Sequence, residues 1–319
     1  MRKLQFRFVT PAIFAVLSLG LFTATFAGEP SVHHGKPGLL ILSHGAPSPR
    51  WQESLKKLEE NVSSLNEKEK TFHAVTAVNM EFARPDTADG VETLEKAGCD
   101  RIIVVPAFIC PTSHTHFDVP AALGIYVSPA TRRTMKAENA RPAAPRVPVT
   151  LTQTIGQGNL LEKYVRDEIA AISVNPEEEA VLLISHGDEG HAGLIDRIMK
   201  KLLKAALESK NIAEGEYAYC GVGQSYKENV VPAIQKLAEK KKRVLIVGFY
   251  LVSSAKTIDQ AGSRMRSFRR NRQSESSEKP AENKSSLDGL DVRFSERGVI
   301  THADMPAWVL QTATEALPE

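Results

Sequence analysis

The stretch Gly38-Leu-Leu-Ile-Leu-Ser-His-Gly45 decides the fold class, because an apolar run of strand length ends there directly in a histidine and a glycine. Seven further runs of strand length follow along the chain, at 73–79, 102–109, 147–151, 180–185, 216–222, 244–250 and 291–294. Helical patterns with apolar residues near the 3.6-residue period separate them, for example at 51–62 and 193–206. Continuously apolar strands that alternate with helices are typical of parallel sheets buried on both faces. We therefore predict an α/β fold built from parallel βαβ units.

The strand pattern occurs twice. Ile-Leu-Ser-His-Gly at 41–45 returns as Leu-Ile-Ser-His-Gly at 183–187, so that His44 and His186 differ by 186 − 44 = 142 positions. Arg101-Ile-Ile-Val-Val and Arg243-Val-Leu-Ile-Val differ by the same 243 − 101 = 142 positions. Two separated matches at one offset indicate an internal duplication. We predict two homologous α/β halves with a cleft between them, at 36–175 and 176–319.

The N-terminus has the pattern of a secretory signal peptide. Arg2, Lys3 and Arg7 precede an uncharged stretch that ends in Thr25-Phe26-Ala27. A cut after Ala27 would have small residues at its −3 and −1 positions, Thr25 and Ala27, as signal peptidase requires. An uncleaved membrane anchor is the alternative, since about 20 weakly apolar residues just span a bilayer. Pro11 and the small-residue end favour cleavage near Ala27. No Cys follows the cut, which argues against a lipoprotein. We therefore expect an exported, periplasmic protein without stable membrane insertion.

Composition excludes several classes of function. The chain has 319 residues, of which 42% are hydrophobic and 24% charged, as in an ordinary globular protein. A net charge of +2 gives no reason to expect nucleic acid or an anionic membrane as the main partner. Three cysteines without a CxxC pair predict neither a disulfide framework nor a zinc site, and Cys110 is either a buried structural thiol or a group near the chemistry. No GxSxG, P-loop or HExxH motif occurs, which argues against the common hydrolases and nucleotide-binding proteins.

Three segments interrupt the regular pattern. His33-His34 lie in a polar tail before the first strand, where a metal-catching role is the alternative to simple disorder. Residues 127–146 are rich in Ala, Pro and Arg. Residues 264–288 contain almost nothing apolar after an Arg-rich start, so we predict a flexible insertion there. The Arg cluster is either a solvated face or a contact for an anionic ligand.

Histidines and a glutamate follow three of the predicted strands. His44 follows the first strand, Glu81 the 73–79 strand, and His114 and His116 the 102–109 strand. Since the carboxyl ends of parallel strands lie at one edge, these side chains converge where α/β sheets bind ligands. Imidazole with carboxylate suits Co²⁺, Ni²⁺, Fe²⁺ or Zn²⁺ better than Ca²⁺ or Mg²⁺. We predict a divalent-metal site of His44, Glu81 and His114.

The same segments resemble the sirohydrochlorin cobaltochelatases, the class II tetrapyrrole chelatases of the CbiX and SirB type. The resemblance rests on His44-Gly, on Met80-Glu-Phe-Ala-Arg-Pro85 and on Val-Val-Pro-Ala-Phe followed by Ser113-His-Thr-His-Phe-Asp-Val-Pro120. It covers most of 38–175, and the duplication resembles the long, two-repeat members. It implies that His44, Glu81 and His114 bind the metal and act in catalysis, while a tetrapyrrole lies in the cleft. His114 rather than His116 takes the ligand place, because members keep an Asp four residues later.

The second half departs from this pattern. At the common offset His114 corresponds to Lys256 and Glu81 to Gly223, so only His186 of the three ligand positions survives. We therefore predict one full metal site. His186, with Asp188, Glu189 and His191 nearby, is expected to line the cleft opposite the metal, and His116 to support the site or contact the ring.

Two functional hypotheses remain open. In the first, the protein inserts a divalent ion, Co²⁺ before Ni²⁺ or Fe²⁺, into a sirohydrochlorin-like ring without any organic cofactor. In the second, it is a non-catalytic periplasmic carrier or sensor of metal or tetrapyrrole, which export would favour because ring biosynthesis is expected in the cytoplasm. A structural protein with a vestigial site is a weaker third, since the first half keeps all three ligands. Metal, ring and oligomeric state do not follow from the sequence.

Overall fold

The structure is a computed structural model, and it describes residues 35–125, 127–221, 225–261, 287 and 289–318. The predicted signal peptide at 1–27 and most of the predicted insertion at 264–288 lie outside these residues. Within the described ranges, no helix combines the length and the apolar character needed to cross a membrane.

The first half forms a four-stranded parallel sheet. Its strands are β1 (Pro37–Ser43), β2 (Ala74–Asn79), β3 (Arg101–Pro106) and β4 (Val149–Leu151), in the order β2-β1-β3-β4. Its helices are α1 (Pro49–Glu69), α2 (Thr87–Lys96), α3 (Val119–Ala122), α4 (Pro129–Ala137) and α5 (Leu160–Ile172), with a π-helical turn at His114–Asp118. Both neighbours of β1 run parallel to it, so the carboxyl ends of the first three strands meet at one edge.

The second half repeats this topology. Its strands are β5 (Glu179–Ser185), β6 (Glu214–Tyr219), β7 (Arg243–Phe249) and β8 (Asp291–Phe294), in the order β6-β5-β7-β8. The helices are α6 (Ala192–Lys210), α7 (Val231–Ala238), a helical segment at 255–261 and α8 (Met305–Thr314). All eight predicted strands are present, and His44 and His186 follow equivalent strands, β1 and β5. The predicted fold class, two similar parallel α/β repeats, is confirmed.

The last helix of each repeat packs against the sheet of the other. Helix α5, from the first repeat, lies against α6 and β7, whereas α8, from the second, lies against α1 and β3. The buried Tyr164 hydroxyl on α5 donates to the carbonyl oxygen of Gly248 on β7 at 3.1 Å. A single apolar cluster joins Leu39 of β1 to Leu183 of β5. The predicted division at 175–176 separates the two sheets, but the core between them is shared.

The Ala-, Pro- and Arg-rich segment 127–146 contains helix α4. Ser128 caps α4 by accepting a hydrogen bond from the backbone N–H of Thr131 at 3.0 Å, and Pro129 occupies the first turn. Beyond the helix, Arg141 donates to both carboxylate oxygens of Asp86 at 2.6 and 2.8 Å. The Ser128 cap and Pro129 thus fix the start of α4, and the Arg141–Asp86 ion pair holds the end of the segment near the carboxyl end of β2.

Candidate functional site

Backbone contacts bring the ends of β1 and β2 together. The N–H of Met80 donates to Ser43 O at 2.7 Å, and the N–H of Glu81 donates to His44 O at 3.1 Å. Gly45 has φ 103, and a Cβ there would lie 2.0 Å from Glu81 O. Only glycine permits both that conformation and that approach. The main chain thus holds His44 and Glu81 side by side.

The structure brings His44, Glu81 and His114 into one cluster, as the sequence predicts. One nitrogen or oxygen from each side chain lies within 4.8 Å of the others. His44 Nε2 lies 2.8 Å from Glu81 Oε1, and the two imidazole rings meet edge to face at a centroid distance of 4.7 Å. Two ligands bound at ~2.1 Å to one ion are roughly 3.0–3.4 Å apart. The separation of His44 Nε2 and Glu81 Oε1 is close to this spacing, and His114 lies within 4.8 Å of both, so the cluster is a candidate site for one metal ion.

The hydrogen bonds of the two imidazoles select the ligand atoms. His44 Nδ1 lies 3.0 Å from the carbonyl oxygen of Gly45, and His114 Nδ1 lies 2.8 Å from Asp118 Oδ2. A carbonyl and an ionised carboxylate can only accept, so both Nδ1 atoms carry the proton. Each neutral ring then has its lone pair on Nε2. A carboxylate behind a ligating imidazole is the usual support of a metal-bound histidine.

Glu81 is the buried member of the cluster, with a side chain that is 2% exposed. No aligned hydrogen-bond donor reaches its Oε1, although His44 Nε2 lies so close. Burial is the largest single effect and raises the pKa of Glu81, but contacts with His44, Glu138 and His114 together outweigh it and lower the pKa. For His44, burial is the largest single effect and lowers the pKa, but contact with Glu81, with smaller effects of Gly45 and Glu138, outweighs it and raises the pKa. Both shifts show that Glu81 favours a positive charge at His44 Nε2.

Glu138 is a site residue that the sequence analysis missed. Its carbonyl oxygen accepts the N–H of Phe82 at 2.8 Å, which places the end of α4 beside Glu81. Burial first, and then contact with the Glu81 carboxylate, raise the pKa of Glu138 to about 7. Asp118 adds further negative charge. Helix α4 therefore adds a carboxyl group to a cluster that already favours a cation.

Aromatic rings surround His44. The rings of Trp51, Phe82 and Phe108 have centroids 6.3, 5.8 and 6.4 Å from its own. Phe82 is unusual because it is 42% exposed and has φ 63, a conformation that is uncommon outside glycine. An aromatic face open to solvent beside these side chains is able to stack against a planar ring.

The second repeat contributes different groups. His186 is exposed, yet surrounding protein atoms lower its pKa by desolvation, and the charges of His44 and His114 lower it further. It therefore lies near the first repeat's cluster. Lys256, at the position equivalent to His114, forms an ion pair with Glu296, and Gly223 lies outside the described residues.

His116 is not part of the three-donor cluster. Its Nδ1 lies 2.9 Å from His191 Nε2 of the second repeat. His114 and His116 lie in the same turn, with one residue between them, but have different surroundings. His116 contacts the second repeat, whereas His114 faces His44.

Fold and site together define a two-repeat α/β protein with a candidate divalent-metal site at the carboxyl edge of its first sheet. Residues 38–172 match the family model described as CbiX. A sirohydrochlorin cobaltochelatase of Methanocaldococcus jannaschii is 37% identical over 87 residues, 27% of this chain and 58% of that protein. The chloroplastic sirohydrochlorin ferrochelatase of Arabidopsis thaliana is 31% identical over 133 residues, 41% of this chain and 51% of that protein.

Likeness in structure extends over both repeats. SirB from Bacillus subtilis with Fe³⁺ superposes with a TM-score of 0.60 and 17% identity, covering 88% of this chain and 95% of that one. At this identity the likeness concerns the fold. The sequence matches to curated relatives, by contrast, span little more than half of each relative's length.

Proposed function

We propose that the protein is a metal chelatase that inserts a divalent ion into a sirohydrochlorin-like tetrapyrrole. One observation carries the proposal. His44 Nε2 and Glu81 Oε1, two electron-rich atoms, face each other at 2.8 Å with His114 within reach of the same ion. The similarity of residues 38–172 to the CbiX family supports the ring as the second substrate.

In this proposal the metal ion is a substrate that His44 and His114 hold through Nε2 and Glu81 through Oε1. Insertion exchanges one M²⁺ for the two pyrrole N–H protons of the ring. As the ion leaves for the ring nitrogens, His44 Nε2 regains its lone pair and can accept one proton, and Glu81 can accept the other. The Gly45 carbonyl and Asp118 keep both imidazoles in the required tautomer. Rate enhancement then comes from holding ring and ion at bonding distance.

The ring occupies the space between the repeats. Phe82 offers an aromatic face on the side of the first repeat, and His186 lines the opposite side. His116 lies at the margin, where the two repeats meet. The ring needs no organic cofactor, since no electrons are transferred.

We propose Co²⁺ as the ion, with Ni²⁺ and Fe²⁺ as alternatives for the same donors. Two imidazoles and one carboxylate suit all three ions, so availability and geometry decide among them. The similar proteins are named for both cobalt and iron, in keeping with a shared donor set.

The deciding experiment mixes purified protein, sirohydrochlorin and Co²⁺ and follows the absorbance of the ring. Catalysis appears as a metallation rate above the uncatalysed rate, proportional to enzyme concentration and lost in His44→Ala. The alternative, a periplasmic carrier or sensor, binds Co²⁺ or the ring at equilibrium but leaves the metallation rate unchanged. Ni²⁺ and Fe²⁺, tested in parallel, rank the ions by kcat/KM.

A further inference from the structure

Two imidazoles meet across the boundary between the repeats. His116 belongs to the π-helical turn at His114–Asp118, and His191 immediately precedes α6 of the second repeat. His116 Nδ1 lies 2.9 Å from His191 Nε2, with the ring centroids 4.9 Å apart and the ring planes inclined by 26°. His116 is exposed and His191 is partly buried.

The far side of His191 faces a carboxylate that is itself held in place. Its Nδ1 is buried without an aligned hydrogen bond, and Asp188 Oδ1 lies 3.3 Å away. The other oxygen of Asp188 accepts from the backbone N–H of Ser113 at 3.1 Å and from the Ser113 hydroxyl at 2.7 Å. Burial raises the pKa of Asp188, but these bonds and His191 outweigh it and lower the pKa to about 2. A fixed carboxylate thus lies 3.3 Å from the far nitrogen of His191, whereas Asp118 is hydrogen-bonded to His114 at 2.8 Å.

We propose that His116 and His191 form a second divalent-metal site, separate from the His44, Glu81 and His114 cluster. The 2.9 Å separation of their nitrogens is close to the roughly 3.0 Å expected for two neighbouring ligands at ~2.1 Å from one ion. Imidazole donors select late first-row ions such as Co²⁺, Ni²⁺ and Zn²⁺ over Mg²⁺ and Ca²⁺. Water completes the coordination on the exposed side of His116.

The second site has a different character from the first. It has two protein ligands instead of three, and one of them is exposed, so it binds more weakly and exchanges its ion more readily. It also joins the two repeats, two residues from His114. An ion taken up from solution at His116 and His191 is thereby held beside the site with the stronger donor set. Metal binding here stands whether or not the protein metallates a ring.

The competing explanation is a plain N–H···N hydrogen bond, and one variant separates the two. In His116→Asn the side-chain amide can still donate to His191 Nε2 and keep the repeats together, but it is a poor ligand for a transition metal. Titration calorimetry with Co²⁺ is carried out on the full chain in a His44→Ala background, which removes the stronger site. We expect one remaining ion per chain, with an affinity lowered at least ~10-fold by His116→Asn and by His191→Ala.

A matched control is His73→Ala. His73 is also exposed, but it precedes β2 and so lies at the amino edge of the first sheet, opposite the edge that carries the cluster. Its Nε2 lies 3.0 Å from the Ala97 carbonyl oxygen. Its removal leaves the remaining Co²⁺ binding unchanged. Circular dichroism checks that each variant is folded. A folded His44→Ala/His116→Asn protein that still binds the ion with full affinity would overturn the proposal, and would direct attention to other histidines such as His33 and His34.

Discussion

His44 Nε2 and Glu81 Oε1 lie 2.8 Å apart with no aligned proton between them. Because the Gly45 carbonyl requires a proton on His44 Nδ1, the neutral ring presents a lone pair to a carboxylate. Two electron-rich atoms at this distance repel unless a proton or a metal ion lies between them. Burial of Glu81 prevents water from relieving the repulsion. The pair therefore favours a cation at His44 Nε2, which is a proton in the metal-free protein and a metal ion when one is bound.

Glu81→Gln tests this relationship. The glutamine amide has the same shape and can donate to His44 Nε2, which satisfies both side chains without any cation. We expect the thermal midpoint to stay about the same, because the amide replaces the contact with His44, and Co²⁺ affinity to fall by more than ~10-fold. Metal affinity is measured by titration calorimetry in a His191→Ala background.

Glu59→Gln is the control for this substitution. Glu59 is a half-buried glutamate on α1 that accepts a hydrogen bond from the N–H of Ala77 at 2.8 Å and is not part of the cluster. This variant should keep its Co²⁺ affinity. A Glu81→Gln protein that is less stable and still binds Co²⁺ normally would contradict the interpretation of the pair.

Phe82 provides a test of ring binding that is separate from metal binding. Phe82→Asn removes the aromatic face while keeping a residue that tolerates φ near 63. We expect the KM for sirohydrochlorin to rise roughly 10-fold, equivalent to about 1.4 kcal/mol. Co²⁺ affinity should not change, because Phe82 supplies no donor atom. Phe82→Tyr keeps the ring and should restore the KM; failure to do so would show that the face is not used.

The sheets and the three-donor cluster could be predicted because their signals are local. Continuous apolar runs such as 38–43 are buried on both sides, and a side chain placed just after such a run must lie at the carboxyl edge. The constant offset of 142 then identified the repeat, since His44 and His186 could be aligned without any structure. Convergence of strand ends is a rule of parallel sheets, so it needs no knowledge of the loops.

Two features could not be predicted in the same way: the position of Glu138, and the packing of α5 and α8 against the opposite repeats. Glu138 reaches the cluster only because α4 packs back over the edge, and Arg141 fixes that return through Asp86, which lies 55 positions earlier in the chain. The packing of α5 and α8 on the opposite repeats depends on which apolar surface meets which, and neither helix carries a pattern that identifies its partner. Contacts between residues so far apart in the chain produce no periodic pattern in the sequence.

The pH dependence of stability has an identifiable contributor in Glu179, which begins β5. Burial raises its pKa, but hydrogen bonds from Ser173, Val174 and Asn175 and contact with Arg243 outweigh burial and lower it below the ordinary value of 4.5. A lowered folded-state pKa stabilises the protein above pH 4.5, and this contribution is lost as the pH falls through the folded-state value.

Glu179→Gln should therefore destabilise the protein by about 1–3 kcal/mol at pH 7. The difference from the unsubstituted protein should shrink progressively as the pH is lowered below 4.5. Urea unfolding at a series of pH values measures it. Glu92→Gln, at an exposed i,i+4 pair with Lys96, is the control and should remain within about 0.5 kcal/mol at every pH. A constant difference for Glu179→Gln at all pH values would exclude the ionised carboxylate as the cause.

Export is the proposal that rests on residues 1–27. We expect a mature protein that begins at or near Gly28 and is recovered in the periplasmic fraction. Intact-mass measurement on that fraction identifies the new N-terminus. Replacing Ala27 with a bulky residue should slow processing, since small residues are required before the cut. Recovery of the full-length chain in the membrane fraction would instead indicate an uncleaved anchor.

The two repeats should differ in their effect on metal binding. His44→Ala and His114→Ala should each lower Co²⁺ affinity by more than ~100-fold, because even the loss of a supporting group costs roughly 10–100-fold. His186→Ala should leave the affinity nearly unchanged, since Lys256 and Gly223 stand where its partner ligands would be. Lys256 is already neutralised by Glu296 and supplies no lone pair. Titration calorimetry on the three variants, each in the His191→Ala background, makes the comparison. If His186→Ala weakened Co²⁺ binding as much as His44→Ala, the ion would be shared between the repeats, and its assignment to the first repeat alone would be wrong.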